Sequence, residues 1–320
     1  MARAVPFAVL LALIATHADA QPYPTKPIRM IVGSAPGGPI DFSARLAAQK
    51  LTEALGQSVV VDNRTGASGT IGTSYVAKAA PDGYTLLMAS AATLCIVPNL
   101  YSNISYDTLR DFAPISTVAA VSYAVVVNPA IPAKSVQEFI TLAKAKPGQL
   151  RFGSAGSGTV THLGVELFKS MAAVDFVHVP YKGAGPAMID LLGGQLDFMF
   201  DSLLTSTPLV KAGRLRALAQ TSLRRSAVLP DVPTVAETVL PGFEVSTWFG
   251  LVAPAKTPRE LIVKLNSAIV KGLASPETRE RLLAQGIEPV GNSSAEFAQL
   301  LREEMPKWAR IVKISGAKAD

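Results

Sequence analysis

The segment Gly153–Leu163 reads GSAGSGTVTHL, and it follows the short apolar run Leu150–Phe152. The run predicts a buried strand, and the segment predicts a turn that leads directly into a helix. Glycines in the turn permit backbone angles that other residues resist, while serine and threonine hydroxyls add hydrogen-bond donors. The first N–H groups of a helix have no acceptor within it, and the helix dipole is positive at that end. Such a turn is typical of anion binding.

The spacing of the glycines separates this turn from two phosphate-binding motifs. Their order is G-x-x-G-x-G, whereas a dinucleotide-binding turn needs G-x-G-x-x-G, and no Gly-Lys-Ser/Thr follows as it would in a P-loop. We therefore predict that the turn binds a small carboxylate. The alternative is an ordinary strand-to-helix loop with a hydroxyl cap.

A second turn of the same design, SAPGGPID at residues 34–41, lies between the strand-like run Ile28–Val32 and a helix predicted over Phe42–Leu55. Its prolines stiffen the loop, and its glycine pair lets a ligand approach the backbone. Asp41 falls in the first helical turn, where N-capping is favoured over direct ligand contact. Two such turns predict one ligand held between them.

Strand-like and helix-like runs alternate along the chain, in one series that ends near Ala89 and a second that begins near Val121. This alternation predicts parallel sheets with helices on their faces, and ligands bind such sheets beyond the carboxyl ends of the strands. We therefore predict an α/β fold of two lobes, each a sheet flanked by helices, with a ligand cleft between them. We assign residues 21–120 and 245–320 to lobe 1 and residues 121–244 to lobe 2, so that the C-terminal helices return to the first lobe.

The N-terminus has the pattern of an export signal. Arg3 precedes the apolar stretch Val5–Ala15, and the tripeptide ADA at 18–20 matches the small-residue pattern of a cleavage site. The apolar stretch is too short to span a bilayer. We predict removal of residues 1–20 after Ala20 and a mature chain in the periplasm.

Composition argues against several classes of function. Of the 320 residues, 49% are hydrophobic and 17% charged, which is typical of a globular chain. The net charge of +6 comes from scattered basic residues rather than a basic run interleaved with aromatics, so we predict no nucleic-acid partner. Cys95 is the single cysteine and histidines are few, so we predict neither a disulfide nor a metal site. No G-x-S-x-G elbow or cofactor motif is present, which favours a binding protein without a cofactor over an enzyme.

Further polar residues stand at positions where a ligand could bind. Thr93 supplies a hydroxyl in the loop SAATLC at 90–95, and Tyr181 ends a predicted strand. His162, one turn into the helix of the first segment, is predicted either to bond a ligand oxygen or to lock the loop. Asp201 ends the next strand, where it either accepts from a ligand ammonium or hydroxyl or caps the following helix.

Several segments of the chain together match one family. They are YPTKPIRMIV from Tyr23, APGGPID from Ala35, VVDNRTGASGTIGT from Val60, AKAAPDGYTLLM from Ala77, FGSAGSGTVTHL from Phe152, VPYKGAGPAMIDLLGGQLDFMFD from Val179, LPDVPTVAE from Leu229 and PGFEVSTWFGLVAPAKTP from Pro241. Most of these segments are weak signals individually, but together and in this order they are specific for that family. Over essentially its whole mature length the chain resembles the Bug family of extracytoplasmic solute receptors, the substrate-binding components of tripartite tricarboxylate transporters.

The resemblance implies a two-lobed periplasmic-binding-protein fold, type II-like, that closes on a small organic acid and delivers it to membrane transporter subunits. In that family, loop amides, hydroxyls and bridging waters hold one carboxylate deep in the cleft. By position, the ligand contacts implied here are Ser34, Ala35, Pro36, Gly37, Gly38, Pro39, Thr93, Ser154, Ala155, Gly158, Thr159, Tyr181 and Asp201, with His162 as a motif histidine.

Two departures from the family pattern concern the identity of the ligand. Gly33-Ser34 stands where family members often have Pro-Phe, and the SAATLC loop differs from a common Asn/Gly-rich version. The ligand is therefore left open among dicarboxylates, tricarboxylates, amino acids and aromatic acids. An enzyme on the same scaffold and a receptor for a sensor kinase are the alternatives to a transport receptor. We expect a monomer.

Overall fold

The structure, a computed structural model, describes residues 23–101 and 103–317, and the predicted signal peptide lies outside them. The strands are β1 (Ile28–Val32), β2 (Val59–Asn63), β3 (Thr85–Ser90), β4 (Phe112–Val127), β5 (Arg151–Ser154), β6 (Val177–Pro180), β7 (Phe198–Ser202), β8 (Arg216–Gln220), β9 (Ser246–Pro254) and β10 (Ile287–Pro289). The α-helices are α1 (Pro39–Leu55), α2 (Thr70–Ala77), α3 (Val97–Leu100), α4 (Thr108–Asp111), α5 (Val136–Ala145), α6 (Val160–Ala172), α7 (Ala184–Leu192), α8 (Leu203–Lys211), α9 (Val235–Thr238), α10 (Arg259–Ala274), α11 (Pro276–Leu283) and α12 (Ser294–Ser315). A 3₁₀ turn (Ala67–Gly69) precedes α2, and a π-helical turn (Ala92–Ile96) precedes α3.

The strands form two halves of one curled sheet, joined by β4. The order is β2-β1-β3-β9-β4 in the first half and β4-β7-β5-β6 in the second, with β10 and β8 also paired to β4. Strand β1 is parallel to β2 and β3, and β5 is parallel to β6 and β7. The predicted β-α-β alternation is therefore confirmed in both halves, which repeat the same order of parallel strands.

Strand β4 crosses from one half to the other within 16 residues. Its residues 112–122 pair with β9, while residues 123–127 pair with β7. Two shifts of register against β9 mark irregularities that let the strand bend. Thr221 ties the crossing together, because its hydroxyl donates to the carbonyl oxygens of Tyr123 (3.1 Å) and Val245 (2.5 Å).

The limits of two helices follow from local sequence. Helix α1 begins with Pro39 at its first position, where a missing N–H removes no helical hydrogen bond, and ends at Gly56, whose φ of 71° is left-handed. It starts three residues before the predicted Phe42. Helix α6 is capped by the Thr159 hydroxyl, which accepts a hydrogen bond from the N–H of His162.

Helix α12 spans both halves of the sheet. Its apolar face is largely buried, and Phe297 packs over β9 at Gly250, where a Cβ would lie 2.3 Å from the ring. Burying such a ring contributes about 2–3 kcal/mol. The helix contacts the π-helical turn of the first half and also α6 of the second. It thus packs against more than the first lobe, to which we expected the C-terminal helices to return.

Candidate functional site

Two loops at the carboxyl ends of parallel strands carry most of the predicted site residues. The 34–38 loop leads from β1 into α1, and the 154–159 loop leads from β5 into α6. Because β1 and β5 hold the same place in the two halves of the sheet, the loops are equivalent in topology. Both stand where parallel sheets bind ligands.

Glycine gives the 154–159 loop its shape. Gly156 (φ 133°) and Gly158 (φ 74°) adopt backbone conformations that residues with a side chain rarely take. A Cβ on Gly158 would also lie 2.2 Å from Cδ1 of Leu100. Leu100 ends α3, which follows β3 and the π-helical turn. This contact brings the 154–159 loop against the ligand-side loops of the first half.

The hydroxyls of the 154–159 loop bond to the loop itself. The Ser154 hydroxyl accepts from the amide of Gly156 at 3.1 Å, and the Thr159 hydroxyl donates to the carbonyl oxygen of Gly156 at 2.7 Å. The amide of Ala155 donates to Thr161 Oγ1 at 3.0 Å. The predicted contacts Ser154, Ala155 and Thr159 therefore support the loop in this structure, and their role toward a ligand stays a prediction.

Three other amides at the start of α6 are hydrogen-bond donors without a partner in the described chain. The N–H groups of Ser157, Val160 and Thr161 have no acceptor within residues 23–101 and 103–317. Val160 and Thr161 are buried, and all three lie at the positive end of a 13-residue helix. The sequence predicted free backbone donors at this helix start, and the structure identifies which residues carry them.

Two histidines lie beneath the loop. Nδ1 of His162 accepts from the amide of Gly158 at 3.0 Å, and Nε2 of His178 lies 2.7 Å from Oγ of Ser154. The two imidazole rings stack with centroids 3.9 Å apart and planes 7° apart. Burial, followed by the nearby His162 and Lys169, lowers the pKa of His178 to about 4, so this ring is neutral at pH 7. Of the two roles predicted for His162, the structure shows a bond that locks the loop.

The 34–38 loop is supported by charge. Its Ser34 carbonyl oxygen accepts from Asn63 Nδ2 at 3.0 Å, and its Gly37 amide donates to Asp41 at 3.0 Å. Arg45 donates to both carboxylate oxygens of the buried Asp41. Burial by itself would raise the pKa of Asp41, but the hydrogen bonds from Arg45, Gly37 and Asn63 outweigh it and hold that pKa below its ordinary value.

The N-cap of α1 is Gly38 rather than Asp41. The carboxylate instead fixes the loop that precedes the helix, from the third helical position. Ala35, Pro36 and Gly37 are exposed, while Ser34 and Pro39 are half-buried, so the loop presents backbone to its surroundings.

The third predicted loop packs against the first. The Thr93 hydroxyl donates to the carbonyl oxygen of Ser90 at 3.2 Å and accepts from the Ser90 amide at 3.1 Å. A Cβ on Gly69 would lie 2.8 Å from the Thr93 methyl group, and one on Gly33 would lie 2.9 Å from the oxygen of Gly69. The ends of β1 and β3 are thus brought together, because glycine lets the backbones approach.

Tyr181 and Asp201 bond within the second half. The Tyr181 hydroxyl donates to Asp190 at 2.5 Å, and this hydrogen bond raises the pKa of Tyr181 to about 12. Asp201 is 1% exposed and accepts from the Thr205 hydroxyl at 2.6 Å. Burial raises the pKa of Asp201 to about 6. The predicted capping of the following helix by Asp201 is wrong, because the N-cap of α8 is Ser202, whose hydroxyl accepts from the amide of Leu204. Contact of Tyr181 or Asp201 with a ligand stays a prediction.

Other chemistry has little support in the described chain. Burial raises the pKa of the Cys95 thiol, which makes it a weak nucleophile at neutral pH. Residues 23–101 and 103–317 contain no group of three or more His, Cys, Asp or Glu side chains that would hold a metal ion. Within the same ranges, no helix has both the length and the apolar character needed to cross a membrane.

Comparison with known proteins agrees with this geometry. Residues 43–317 match the family model of the tripartite tricarboxylate transporter family receptor, TctC. Among solved structures, Rpa4515 of R. palustris with adipate superposes with a TM-score of 0.85 at 36% identity, covering 92% of this chain and 99% of that one. The periplasmic binding protein BugD superposes with a TM-score of 0.81 at 36% identity, covering 92% of this chain and 99% of BugD. MatC (Rpa3494) from Rhodopseudomonas palustris with bound malate gives 0.80 at 33% identity, covering 91% and 100%.

The fold and the paired loops define a two-lobed α/β solute-binding protein of the periplasmic-binding-protein type. The chain belongs to the tripartite tricarboxylate transporter receptor family, which includes the Bug proteins. The resemblance noted from the sequence motifs is therefore confirmed.

Proposed function

We propose that this protein is a periplasmic receptor that captures a small organic acid and delivers it to membrane subunits of a tripartite tricarboxylate transporter. The observation that carries the proposal is the start of α6, where the amides of Ser157, Val160 and Thr161 have no acceptor among the described residues. Backbone donors at a helix N-terminus favour an anion without needing a cationic side chain. The surrounding loop is already held in place by its own hydrogen bonds, so ordering it on binding costs little.

The two halves of the sheet support capture by closure. We propose lobe 1 as residues 21–120 and 245–320 and lobe 2 as residues 121–244. Strand β4 changes partners between Ser122 and Tyr123, and β9 begins at Ser246, so the segments that would flex lie beside one another. A ligand that touches both loops favours the closed arrangement by its extra contacts there.

A dicarboxylate is the ligand class we propose first. Related structures hold adipate and malate, each with two carboxylates. One carboxylate would accept from the amides at the start of α6, and the other would face the 34–38 loop, whose exposed backbone is held open by the Asp41 network. Ser34, in place of a larger aromatic residue, leaves room for a polar group at that end.

A thermal-shift screen tests the class of ligand. Dicarboxylates, tricarboxylates, amino acids and aromatic acids are added to the mature protein, since a ligand that binds only the folded state raises the melting temperature. We expect dicarboxylates to give the largest rise. No rise with any acid would overturn the proposal.

A backbone substitution tests the place of binding. Val160→Pro removes only the N–H at the first position of α6, where proline fits, and Thr159 already has the extended conformation that precedes proline (ψ 162°). Because the Val160 side chain is buried, Val160→Ala serves as the matched control that keeps the N–H. We expect Val160→Pro to bind malate or adipate about 10–100-fold more weakly than Val160→Ala, as the loss of a charge-assisted hydrogen bond implies. Equal affinities would remove the start of α6 from the site.

A further inference from the structure

We propose that His162 and His178 are positioning residues that fix the two ends of the 154–159 loop as a neutral pair, so that the loop receives a carboxylate without any help from histidine charge. This inference rests on the proposed function, and it names what keeps the amides of that loop in place.

The pair touches the loop at both ends. His178 lies on β6, beside β5, and meets the Ser154 hydroxyl at the first residue of the loop. His162 lies on α6 and takes the amide of Gly158 near the last residue. Since the rings stack 3.9 Å apart, each holds the other in plane, and Phe152 stacks on His178 with centroids 4.7 Å apart. The loop is thus clamped onto one rigid aromatic stack.

The hydrogen bond of His162 requires an unprotonated nitrogen. Its Nδ1 accepts from the Gly158 N–H, so the ring proton of the neutral form belongs on Nε2. Protonating Nδ1 would set an N–H against the N–H of Gly158 and break the bond. A charge on both rings is disfavoured as well, because they are stacked in direct contact.

The charged groups beside the pair include Glu166 and, through it, Lys169 and Asp175. Glu166 Oε1 is 4.0 Å from Nε2 of His162, and Lys169 pairs with both Glu166 (3.2 Å) and Asp175 (3.3 Å). From β5, Phe152 and Ser154 bring no charge to the stack. Lys169 offsets part of the charge of Glu166, which lies toward Nε2 of His162 and away from the Nδ1 that accepts from Gly158.

This arrangement differs in its consequence from a histidine that binds the anion directly. A cationic histidine in contact with a carboxylate strengthens binding as pH falls. A neutral clamp weakens it, because protonation of His162 releases Gly158 and loosens the loop. The direction of the pH effect therefore separates a positioning role from a contact role.

The test uses two substitutions at each histidine. His162→Asn places an oxygen acceptor near the position of Nδ1 but cannot titrate, while His162→Leu removes the acceptor. His178→Gln and His178→Leu make the matching pair at Nε2. Affinities for malate and adipate are measured by calorimetry at about pH 7.5 and about pH 5.5.

We expect His162→Leu and His178→Leu to bind about tenfold more weakly at the higher pH, and the Asn and Gln variants to stay within about twofold of the wild type. We expect the wild type to lose affinity relative to His162→Asn on acidification. The ratio of the wild-type affinity to the His162→Asn affinity is compared between the two pH values, because protonation of the ligand changes both affinities equally and cancels in the ratio. Equal weakening of His162→Asn and His162→Leu, or a gain of affinity relative to His162→Asn at the lower pH, would overturn the proposal.

A measurement without ligand separates this proposal from the proposed function. Long-range ¹H–¹⁵N spectra should show Nδ1 of His162 without a proton at about pH 7.5, and the Gly158 amide should exchange faster in His162→Leu than in wild type or His162→Asn. A protonated Nδ1, or unchanged exchange in His162→Leu, would refute the clamp. If the clamp is seen but no variant binds either acid, the proposed function fails and the clamp stands.

Discussion

The 34–38 loop and the 154–159 loop share one plan in sequence and differ in how they are held. Each follows a parallel strand, contains glycines and leads into a helix. The first is held by an ionic network in which Asp41 accepts from Gly37, Arg45 and Asn63. The second is held by hydroxyls and imidazoles, without a carboxylate among the described residues that bond to it.

The difference between an ionic and an uncharged support affects the charge that each loop presents at its exposed backbone. On the proposed function, a carboxylate side chain beside the free amides at the start of α6 would repel an acidic ligand, and uncharged groups avoid that repulsion. At the 34–38 loop the negative charge of Asp41 is cancelled by Arg45 within hydrogen-bond distance, so it leaves little field at the exposed backbone. Two loops that are equivalent in topology are thus held by different interactions, and both interactions leave a low net charge beside the loop backbone.

Alanine at one glycine of each loop gives the largest expected contrast. Gly158→Ala places a Cβ 2.2 Å from Leu100 at a φ of 74°, whereas Gly37→Ala has no heavy atom within 4 Å of its Cβ at a φ of 93°. We expect Gly37→Ala to lower the free energy of unfolding by about 1 kcal/mol, because it adds only backbone strain. We expect Gly158→Ala to lower it by about 3 kcal/mol, because the clash with Leu100 adds to the strain. Urea unfolding measures both. Equal losses would show that the close contact with Leu100 is easily relieved.

The next largest expected effect is the loss of stability when the carboxylate charge of Asp41, beside the 34–38 loop, is removed. Asp41→Asn loses the charge-assisted bonds from Arg45 and Gly37, and we expect a loss of about 2 kcal/mol at pH 7. Because the folded pKa of Asp41 is depressed, its contribution is present above the unfolded pKa of about 4 and is lost as pH falls through the folded pKa. The gap between variant and wild type should therefore shrink in acid. Asp62→Asn, at a half-exposed pair with Arg64, is the control and should cost less than about 1 kcal/mol.

Much of this comparison was visible in the sequence, because strand, glycine turn and helix are local signals. The limits of β1 were predicted to the residue, and so was the end of α1 at Leu55. Local patterns also led to the two loops and to the candidate residues within them. What a side chain bonds to across the loop is not a local property, so the partners of Ser154 and Thr159 were not foreseen.

Longer-range features were missed for a physical reason. The first eleven residues of β4, Phe112–Ser122, were not predicted as a strand because Pro114 and the bulges near Ser116 break the alternation of polar and apolar side chains. The π-helical turn at Ala92–Ile96 has no sequence signature of its own. The stacking of His178 on His162 joins β6 to α6, and a contact between residues so far apart in sequence is visible only in the fold.

The buried aspartate of the second half should behave in the opposite way to Asp41. Asp201 has a pKa raised from 3.8 to about 6 by burial, so the folded state binds its proton more tightly than the unfolded state does. Its ionisation destabilises the fold as pH rises from about 4 to about 6, and the penalty is constant above that range. A shift of this size is worth about 3 kcal/mol and already includes the bond from Thr205, which lowers the pKa. Asparagine should recover only part of it, because its amide does not reproduce the hydrogen bonding of a protonated carboxyl.

We therefore expect Asp201→Asn to raise the free energy of unfolding by about 1–2 kcal/mol at pH 7.5 and to give no gain near pH 4. Chemical unfolding at both pH values measures it. A gain that does not change with pH would mean that Asp201 is not ionised in the folded protein at pH 7.5, and would break the contrast with Asp41.

The smallest expected effect is a difference between the two loops in how salt changes the stability cost of a substitution. Arg45 is 54% exposed, so Arg45→Ala should cost only about 0.5 kcal/mol at low salt and nothing measurable near 1 M NaCl, where the Debye length falls to about 3 Å. Thr161→Val is the matched change in the other loop. It leaves the Ala155 amide without its acceptor at a buried, uncharged site, and its cost of about 1 kcal/mol should be the same at both salt concentrations. If the cost of Thr161→Val also faded with salt, the 154–159 loop would contain an ionic contribution, and its description as a neutral support for the anion donors of α6 would be wrong.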